Sequence, residues 1–431
     1  MQKIISFFTA AFTFLASFFG IGSDPQVIEQ PKAENFKPVL RFMVCSDTHI
    51  SEKNDTRCQR IEKALDFCYS ESKKDADHST LDAAMFVGDV TDKGDPEQFE
   101  AFGEVMKNSL KSETDLLAVV AKNHDGYPGK QCRDLISAIT GNDADFNVKI
   151  GGCHFIGLST SKQTAMRYDL SQKIWLIKQL NQAVLEDPTK PIFFFHHEHI
   201  RNTVYGSSSF EGWGITDFTE ILKRYPQVVD FSGHSHYPLN DPRSIWQGDF
   251  TAVGTGSLNY MEFTVDSDRT IHPNQNAVSG QAWLVEVDAK NQVRLRGFDV
   301  NDSKVLCDYL LTDVTDKATY AYTPFNQQAH SSAPKFNDTA SLNVTNNGEK
   351  YTVTCPAAVS TDDKPIELYR ICVTSESGKV LYSDYLINNY WLPETYRTVE
   401  FEIEANAGDK ISVTASNVYD MESAPLTATV K

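Results

Sequence analysis

The sequence predicts an α/β protein with an all-β region joined to its C-terminal end, and two observations carry that prediction. Between residue 39 and about residue 300, short continuous apolar runs alternate with amphipathic helical stretches. After about residue 325 the helical periodicity stops, and short strand-like runs follow one another at regular spacing. Alternation of the first kind builds sheets covered by helices; closely spaced strands separated by turn residues build a sandwich. At 431 residues the chain has room for two or three domains.

The first element is an apolar leader. Met1 to Lys3 brings one positive charge, Ile4 to Gly22 is uncharged and rich in Phe, and small residues at Gly20, Gly22 and Ser23 precede the polar Asp24-Pro25. A charged start, an apolar middle and a small-residue cleavage region are the parts of a secretory signal, expected over residues 1–23. The run is also about as long as a bilayer-spanning helix needs, so an uncleaved anchor is the alternative, and membrane attachment is expected only in that case. Both readings export the rest of the chain, to a secreted or periplasmic location. Residues 24–38 are a polar lead-in.

Residues 39–324 form the expected α/β domain. Its buried-strand candidates are Val39–Cys45, Ala83–Val87, Leu116–Ala121, His154–Leu158, Ile192–Phe195 and Val228–Ser232, each a short apolar run with turn residues at its ends. Helical faces are predicted from Ile61, Leu65 and Cys68, from Phe99, Phe102 and Met106, and from Ile174, Ile177 and Leu180. Thr251–Val253, Trp283–Val287 and Val293–Phe298 extend the sheets. Residues 325–431 contribute strands at Ser341–Thr345, Tyr351–Cys355, Leu368–Thr374, Val380–Tyr385, Val399–Ile403, Lys410–Ala415 and Leu426–Val430.

A formal net charge of −18 argues against non-specific binding to nucleic acid or anionic lipid. Eight cysteines occur without any C-x-x-C spacing. Cys45 and Cys68 fall in apolar patterns and read as small core residues, while Cys355 and Cys372, on two predicted strands, are the candidate pair for a disulfide.

The polar residues gather at strand ends. Successive apolar runs lead into Asp47-Thr48-His49, Gly88-Asp89-Val90-Thr91-Asp92-Lys93-Gly94, Asn123-His124-Asp125, His196-His197 and Gly233-His234-Ser235-His236. Ligand sites in such sheets form outside the carboxyl ends of the strands. Residues two apart in an extended segment point the same way, so Asp47 with His49, and His234 with His236, can face one cavity. Carboxylate, imidazole and amide donors without thiolate suit borderline divalent metals and iron. The two oxygens of Asp89 could bridge a pair of ions about 3.5–4 Å apart.

These five segments, in this order, resemble the calcineurin-like metallophosphoesterase superfamily: D-x-H, G-D-x-x-D-x-G, G-N-H-D/E, a strand-end H and G-H-x-H, over about residues 39 to 260. The resemblance implies a four-layer α-β-β-α sandwich of two mixed sheets flanked by helices. It implies one ion held by Asp47, His49, Asp89 and His236, and a second by Asp89, Asn123, His196 and His234, the ions being Mn, Fe, Zn or similar. His196 is preferred over His197 because the family ligand directly follows the strand. The expected activity is hydrolysis of phosphate mono- or diesters by in-line attack of a metal-bridging hydroxide. His124 suits the proton donor to the leaving group, with Asp125 or another carboxylate orienting it. The chain departs from the pattern at Lys122, where the family has Gly, and lacks the Pro often found after the strand-end His. Asp92 stands where the purple acid phosphatases carry Tyr, and they lack a counterpart of His49, so a tyrosinate-coloured ferric site is not expected. The stretch from Gly408 to Asn417 and on to Pro425 resembles the end of a fibronectin type III or related Ig-like domain.

Blander readings compete at single positions. A lone strand-end Asp or His is usually a cap or turn residue, and for Asp92 that reading weighs evenly with a supporting role. His78, His154, His272 and His330 lie outside the segments and read as ordinary polar residues. His197, His199, Arg201 and Tyr205, with Tyr127 and Arg133, either line the cleft or form solvated loop, whereas Trp213 and Trp246 read as packing. The expected partner is a small phosphate ester; no nucleic acid is expected except as a nucleotide substrate. A protein or glycan partner of the C-terminal domain is left open, and packing against the catalytic domain is its simplest role. The alternative from another class is an exported, non-catalytic binding or scaffold protein on the same fold. Loss of ligands would be its signature, and all seven positions are present.

Overall fold

The computed structural model describes residues 26–126, 131–161, 167–265, 268–271, 273, 279–362 and 364–431. The expected signal over residues 1–23, Tyr127 and His272 lie outside the described residues. Among the described residues no helix is long and apolar enough to cross a membrane.

Two six-stranded mixed sheets form the α/β part. The first contains β1 (Pro38–Cys45), β2 (Ala83–Val87), β3 (Asp115–Val119), β14 (Gln281–Asp288), β15 (Val293–Asp299) and β16 (Lys304–Leu311). Its order is β16-β15-β14-β1-β2-β3, with β1, β2 and β3 parallel and the others antiparallel. The second contains β4 (Asp145–Ile150), β5 (Cys153–Leu158), β6 (Ile192–Phe195), β9 (Val228–Ser232), β10 (Ile245–Gln247) and β11 (Thr251–Gly254). Its order is β10-β11-β9-β6-β5-β4, with β5, β6, β9 and β11 parallel. Short ribbons pair β7 (His199–Ile200) with β8 (Gly214–Ile215) and β12 (Phe263–Val265) with β13 (Asp268–Ile271).

Three apolar clusters hold these sheets. Phe42, Val44, Met85, Val87 and Trp283 from the first sheet meet Phe155, Phe193, Phe195, Phe231 and Val253 from the second, so the sheets bury one face against each other. On the far side of the first sheet, Met43, Phe86 and Leu284 pack under α1 (Thr56–Ser72), α2 (Pro96–Ser109) and α3 (Cys132–Thr140). On the far side of the second, Ile156, Phe194 and Ala252 pack under α4 (Leu170–Glu186) and α5 (Thr219–Leu222). Strands apolar on both faces follow from such double burial.

The sequence reading needs correction at four places. The sequence reading does not include the edge strands β4 and β16: β4 alternates in polarity and carries no continuous apolar run, whereas in β16 Asp308 splits the apolar residues into two runs of three. The third strand ends at Val119 and leaves Val120-Ala121 to lead out of it. The buried stripe of α4 is Leu176, Leu180 and Ala183; Ile174 is exposed, because apolar residues lie on two sides of this helix and do not fix which faces the sheet. Cys355 and Cys372 are both free. Cys355 points into the C-terminal core, whereas Cys372 alternates with the core residues Ile371 and Val373 and faces the other way.

The lead-in is tied down: the Ile28 amide donates to Asn326 Oδ1 at 2.6 Å, on α6 (Pro324–Ala329). Beyond α6 the chain is strand-rich. A three-stranded sheet joins β17 (Asn343–Asn346), β18 (Tyr351–Pro356) and β21 (Thr398–Ile403). A four-stranded one orders β20 (Val380–Ile387), β19 (Ile366–Thr374), β22 (Lys410–Asn417) and β23 (Leu426–Thr429). Val353, Ile371, Val373, Val399, Phe401, Ile411 and Val413 form the core between them.

Candidate metal centre

The parallel strands of both sheets release their chains at carboxyl ends that face a common cleft, and the loops there are laced together. The amides of Asp47, His49 and Ile50 donate to the carbonyls of Gly88, Asp89 and Val90 at 3.1, 3.0 and 3.0 Å, fixing the loop after β1 against the loop after β2. The His234 amide donates to Asp47 Oδ2 at 3.1 Å, bringing the loop after β9 across from the other sheet. Asp47, His49, Asp89, His234 and His236 all have φ between 48° and 73°. Asp and His tolerate this left-handed region better than most residues, but it still costs about 1 kcal/mol or more per position, and such strain collects where a site over-determines its backbone. Gly88, with φ of 83°, has no room for a Cβ, which would stand 2.5 Å from His197 Nδ1.

The side chains form three overlapping triads with ligand atoms within 4.8 Å of one another: Asp47-His49-His236, His49-Asp89-His124 and Asp89-His197-His234. His236 Nε2 lies 3.2 Å from Asp47 Oδ1 and 3.2 Å from His49 Nε2. His197 Nε2 lies 3.0 Å from Asp89 Oδ2 and 3.8 Å from Asp47 Oδ1. Asn123 Nδ2 lies 2.8 Å from Asp89 Oδ2 and 3.3 Å from His234 Nδ1. Half a turn of that amide puts its carbonyl oxygen at the same point.

Of the expected ligands, the structure therefore brings together Asp47, His49, Asp89, Asn123, His234 and His236, and leaves out His196. His196 turns to the outer face of its sheet, where it packs against Phe194 and Phe218 and lies 2.9 Å from Asp230 Oδ1. Its neighbour His197 takes the inward position. Along this strand Phe193 and Phe195 face the other sheet and Phe194 faces α4, so alternation sends 196 outward and 197 inward. The alternation decides between the two only once the packing of the strand is known, because Ile192–Phe195 is apolar at every position.

Asp125 also departs from its expected role. Its Oδ1 accepts from the amide and hydroxyl of Thr91, both at 2.8 Å, and its Oδ2 from the Ala121 amide at 2.9 Å. It clasps two loops and does not orient His124, whose Nδ1 lies 2.8 Å from the Asp92 carbonyl oxygen. Lys122 has an ordinary negative φ, so the family Gly is not required there; Gly126 instead makes the close approach, to the Lys122 backbone. Arg133 pairs with Asp145 at 2.7 Å, and Arg201 donates to the Gly214 carbonyl. Sequence reasoning missed the walls of the centre: Trp213 stands edge-on to His234 at 5.0 Å, and Tyr260 lies 4.2 Å from His236.

The electrostatics describe a site built for cations. Burial alone would raise Asp47, but the imidazoles of His236, His197 and His49 outweigh it and hold the carboxyl well below its usual range. Asp89, likewise buried, is held near 2 by His197. Burial and the neighbouring His236 lower His49 to about 3, and burial with His197 lowers His234 to about 4, so both rings are neutral, as metal ligation requires. His197 and His236 go the other way: burial opposes their charge, but Asp89 and Asp47 raise both. Asp47 Oδ1, Asp89 Oδ1 and His197 Nε2 are buried and make no well-formed hydrogen bond, their near neighbours being carboxylates and imidazoles of the same cluster. Buried polar atoms are seldom left so, and three converging on one point fit bound cations.

Residues 40–238 match the family model for the Calcineurin-like phosphoesterase. No curated protein matches the sequence. Among solved structures, the chain is similar to GAP50, the anchor in the inner membrane complex of Plasmodium, at 14% identity and a TM-score of 0.43, covering 65% of this chain and 90% of that one. It is similar to purple acid phosphatase PPD1 from yellow lupin (Lupinus luteus) seeds at 12% identity and a TM-score of 0.44, covering 64% of this chain and 54% of that one. Fibronectin(III)-like modules of Clostridium thermocellum CbhA match at 19% identity and a TM-score of 0.14, over 38% of this chain and 66% of theirs.

Proposed function

We propose that the chain is an exported phosphoesterase of the D-x-H type that uses two metal ions to hydrolyse phosphate mono- or diesters. The convergence of Asp47, His49, Asp89, His197, His234 and His236 into overlapping triads of ligand atoms carries the reading. Asp47, His49 and His236 would hold one ion, and His197, His234 and Asn123 the other, with Asp89 between them. A pair of transition-metal ions, Mn, Fe, Zn or similar, would supply positive charge for the phosphoryl oxygens and acidify water.

The chain's own groups do the rest. His124 keeps Nδ1 against the Asp92 carbonyl, so Nε2 is the ring atom that can deliver a proton to a departing alkoxide. Trp213 and Tyr260 wall the two C-terminal imidazoles and limit access of bulk water. The three apolar clusters support a four-layer α-β-β-α reading of residues 39–324, and the two C-terminal sheets support a fibronectin type III or Ig-like sandwich over residues 325–431. Metal-stripped protein given Mn, Zn, Fe, Ni or Ca in parallel, with aryl phosphate mono- and diesters and nucleotides as substrates, tests this function. Transition metals should restore turnover. A chain that binds them and hydrolyses none of these esters contradicts the catalytic reading and supports a scaffold.

A further inference from the structure

The strand-rich C-terminal region reaches the metal centre through one buried loop, and we propose that Tyr390 and Trp391 in that loop are positioning residues for His236. The inference rests on the metal-centre reading above.

His236 sits in a left-handed conformation, with φ of 58°, in a segment with no regular secondary structure. Such a conformation persists only where the surroundings hold it. The residues that follow it are tied to the C-terminal loop three times, once through Gln281 and twice directly. The Leu239 amide donates to Gln281 Oε1 at 2.9 Å, and Gln281 Nε2 donates to the Trp391 carbonyl at 2.9 Å. Asn240 Nδ2 donates to the Tyr390 carbonyl at 2.8 Å, and the Tyr390 hydroxyl donates to Asp241 Oδ2 at 2.8 Å. Arg243 then joins Asp241 to Glu367 of the C-terminal region.

A second limb approaches His236 from its other side. Trp391 packs 4.8 Å from Phe263, and the two lie in one buried cluster with Met261 and Tyr390. The segment ending at Phe263 supplies the Tyr260 carbonyl, 3.2 Å from His236 Nδ1, and the Glu262 amide, which donates to the His236 carbonyl at 3.1 Å. Both limbs thus converge on His236. His197, proposed for the other ion, is held from within the α/β part, its Nδ1 lying 2.9 Å from the Val87 carbonyl oxygen.

The two ions should therefore depend unequally on this loop. Tyr390→Phe removes the hydroxyl that holds Asp241 and Trp391→Leu removes the ring that packs against Phe263, and each full-length variant is checked for folding by circular dichroism before titration with Co2+. Visible absorption of bound Co2+ reports the ligand field, and calorimetry reports the two affinities. The expected result is about tenfold or greater weakening of one ion, with an altered spectrum, while the other ion stays within about threefold. Folded variants that match wild type at both sites, or that weaken both equally, overturn the inference alone. Wild-type protein that binds no Co2+ overturns the metal-centre reading, and this inference with it.

Discussion

His124 bears the most specific chemical role assigned to any single side chain. Its Nδ1 is engaged by the Asp92 carbonyl and its ring lies 4.4 Å from that of His49, so it stands beside the proposed ions without completing a pair of its own. Replacing it by Ala should lower turnover of alkyl phosphates by about 100-fold or more, while aryl phosphates with good leaving groups lose far less, because only the former need the proton. Steady-state rates across a leaving-group series check this; equal losses would remove His124 from the acid role. Most of the ligand set was legible at this scale, because Asp, Asn and His at successive strand ends have few other reasons to recur. The choice between His196 and His197 was not. Ile192–Phe195 is apolar at every position, so the sequence shows no difference between the face toward the other sheet and the face toward α4. A strand buried on both sides erases its own phase.

Elements set the site through their ends. The loop after β2 needs Gly88 for its φ of 83° and for the space His197 occupies. Gly88→Ala should cost about 2–3 kcal/mol in chemical denaturation and displace His197, so that weakened metal binding accompanies lost stability. Unchanged stability would mean that the loop relaxes freely. At the end of β15, Asp299 is fully buried, accepts from the Asp302 amide at 2.7 Å, and has Oδ2 unpartnered. Burial, with Asp302 nearby, raises its pKa to about 6. Because the folded value lies above the unfolded one, the protonated carboxyl favours the fold, and that stability is lost as pH rises through about 6. Asp299→Asn should therefore be more stable than wild type at pH 8 by on the order of 1–3 kcal/mol, with the gap closing near pH 4. Urea melts at the two values check it, and a gap independent of pH would contradict it. Edge strands and the helix α4 face were the illegible elements: β4 and β16 are half exposed, and α4 is apolar on two sides.

At the scale of the whole molecule, two sheets supply one centre, and the strand-rich region packs against the loop that follows His236. The change of periodicity near residue 325 showed that the C-terminal region differs in kind. Its contact with the loop after His236 was invisible, because Tyr390 and Trp391 reach that loop across about 150 residues of sequence. The centre also couples protons to metal. Asp89 and Asp47 raise His197 well above its usual range and raise His236 as well, so metal uptake should release protons, and affinity should fall as pH falls. Calorimetry in buffers of different ionisation heat measures the release; binding without it would contradict the assignment of these imidazoles as ligands.

The most direct test is elemental analysis of metal per folded chain for wild type, His197→Ala and His196→Gln, each loaded with Mn2+ or Zn2+ and freed of excess. Two ions, one ion and two ions, in that order, are predicted, because His197 faces Asp89 and His196 faces Asp230. No metal in the wild type, or a loss confined to the His196 variant, would contradict the account.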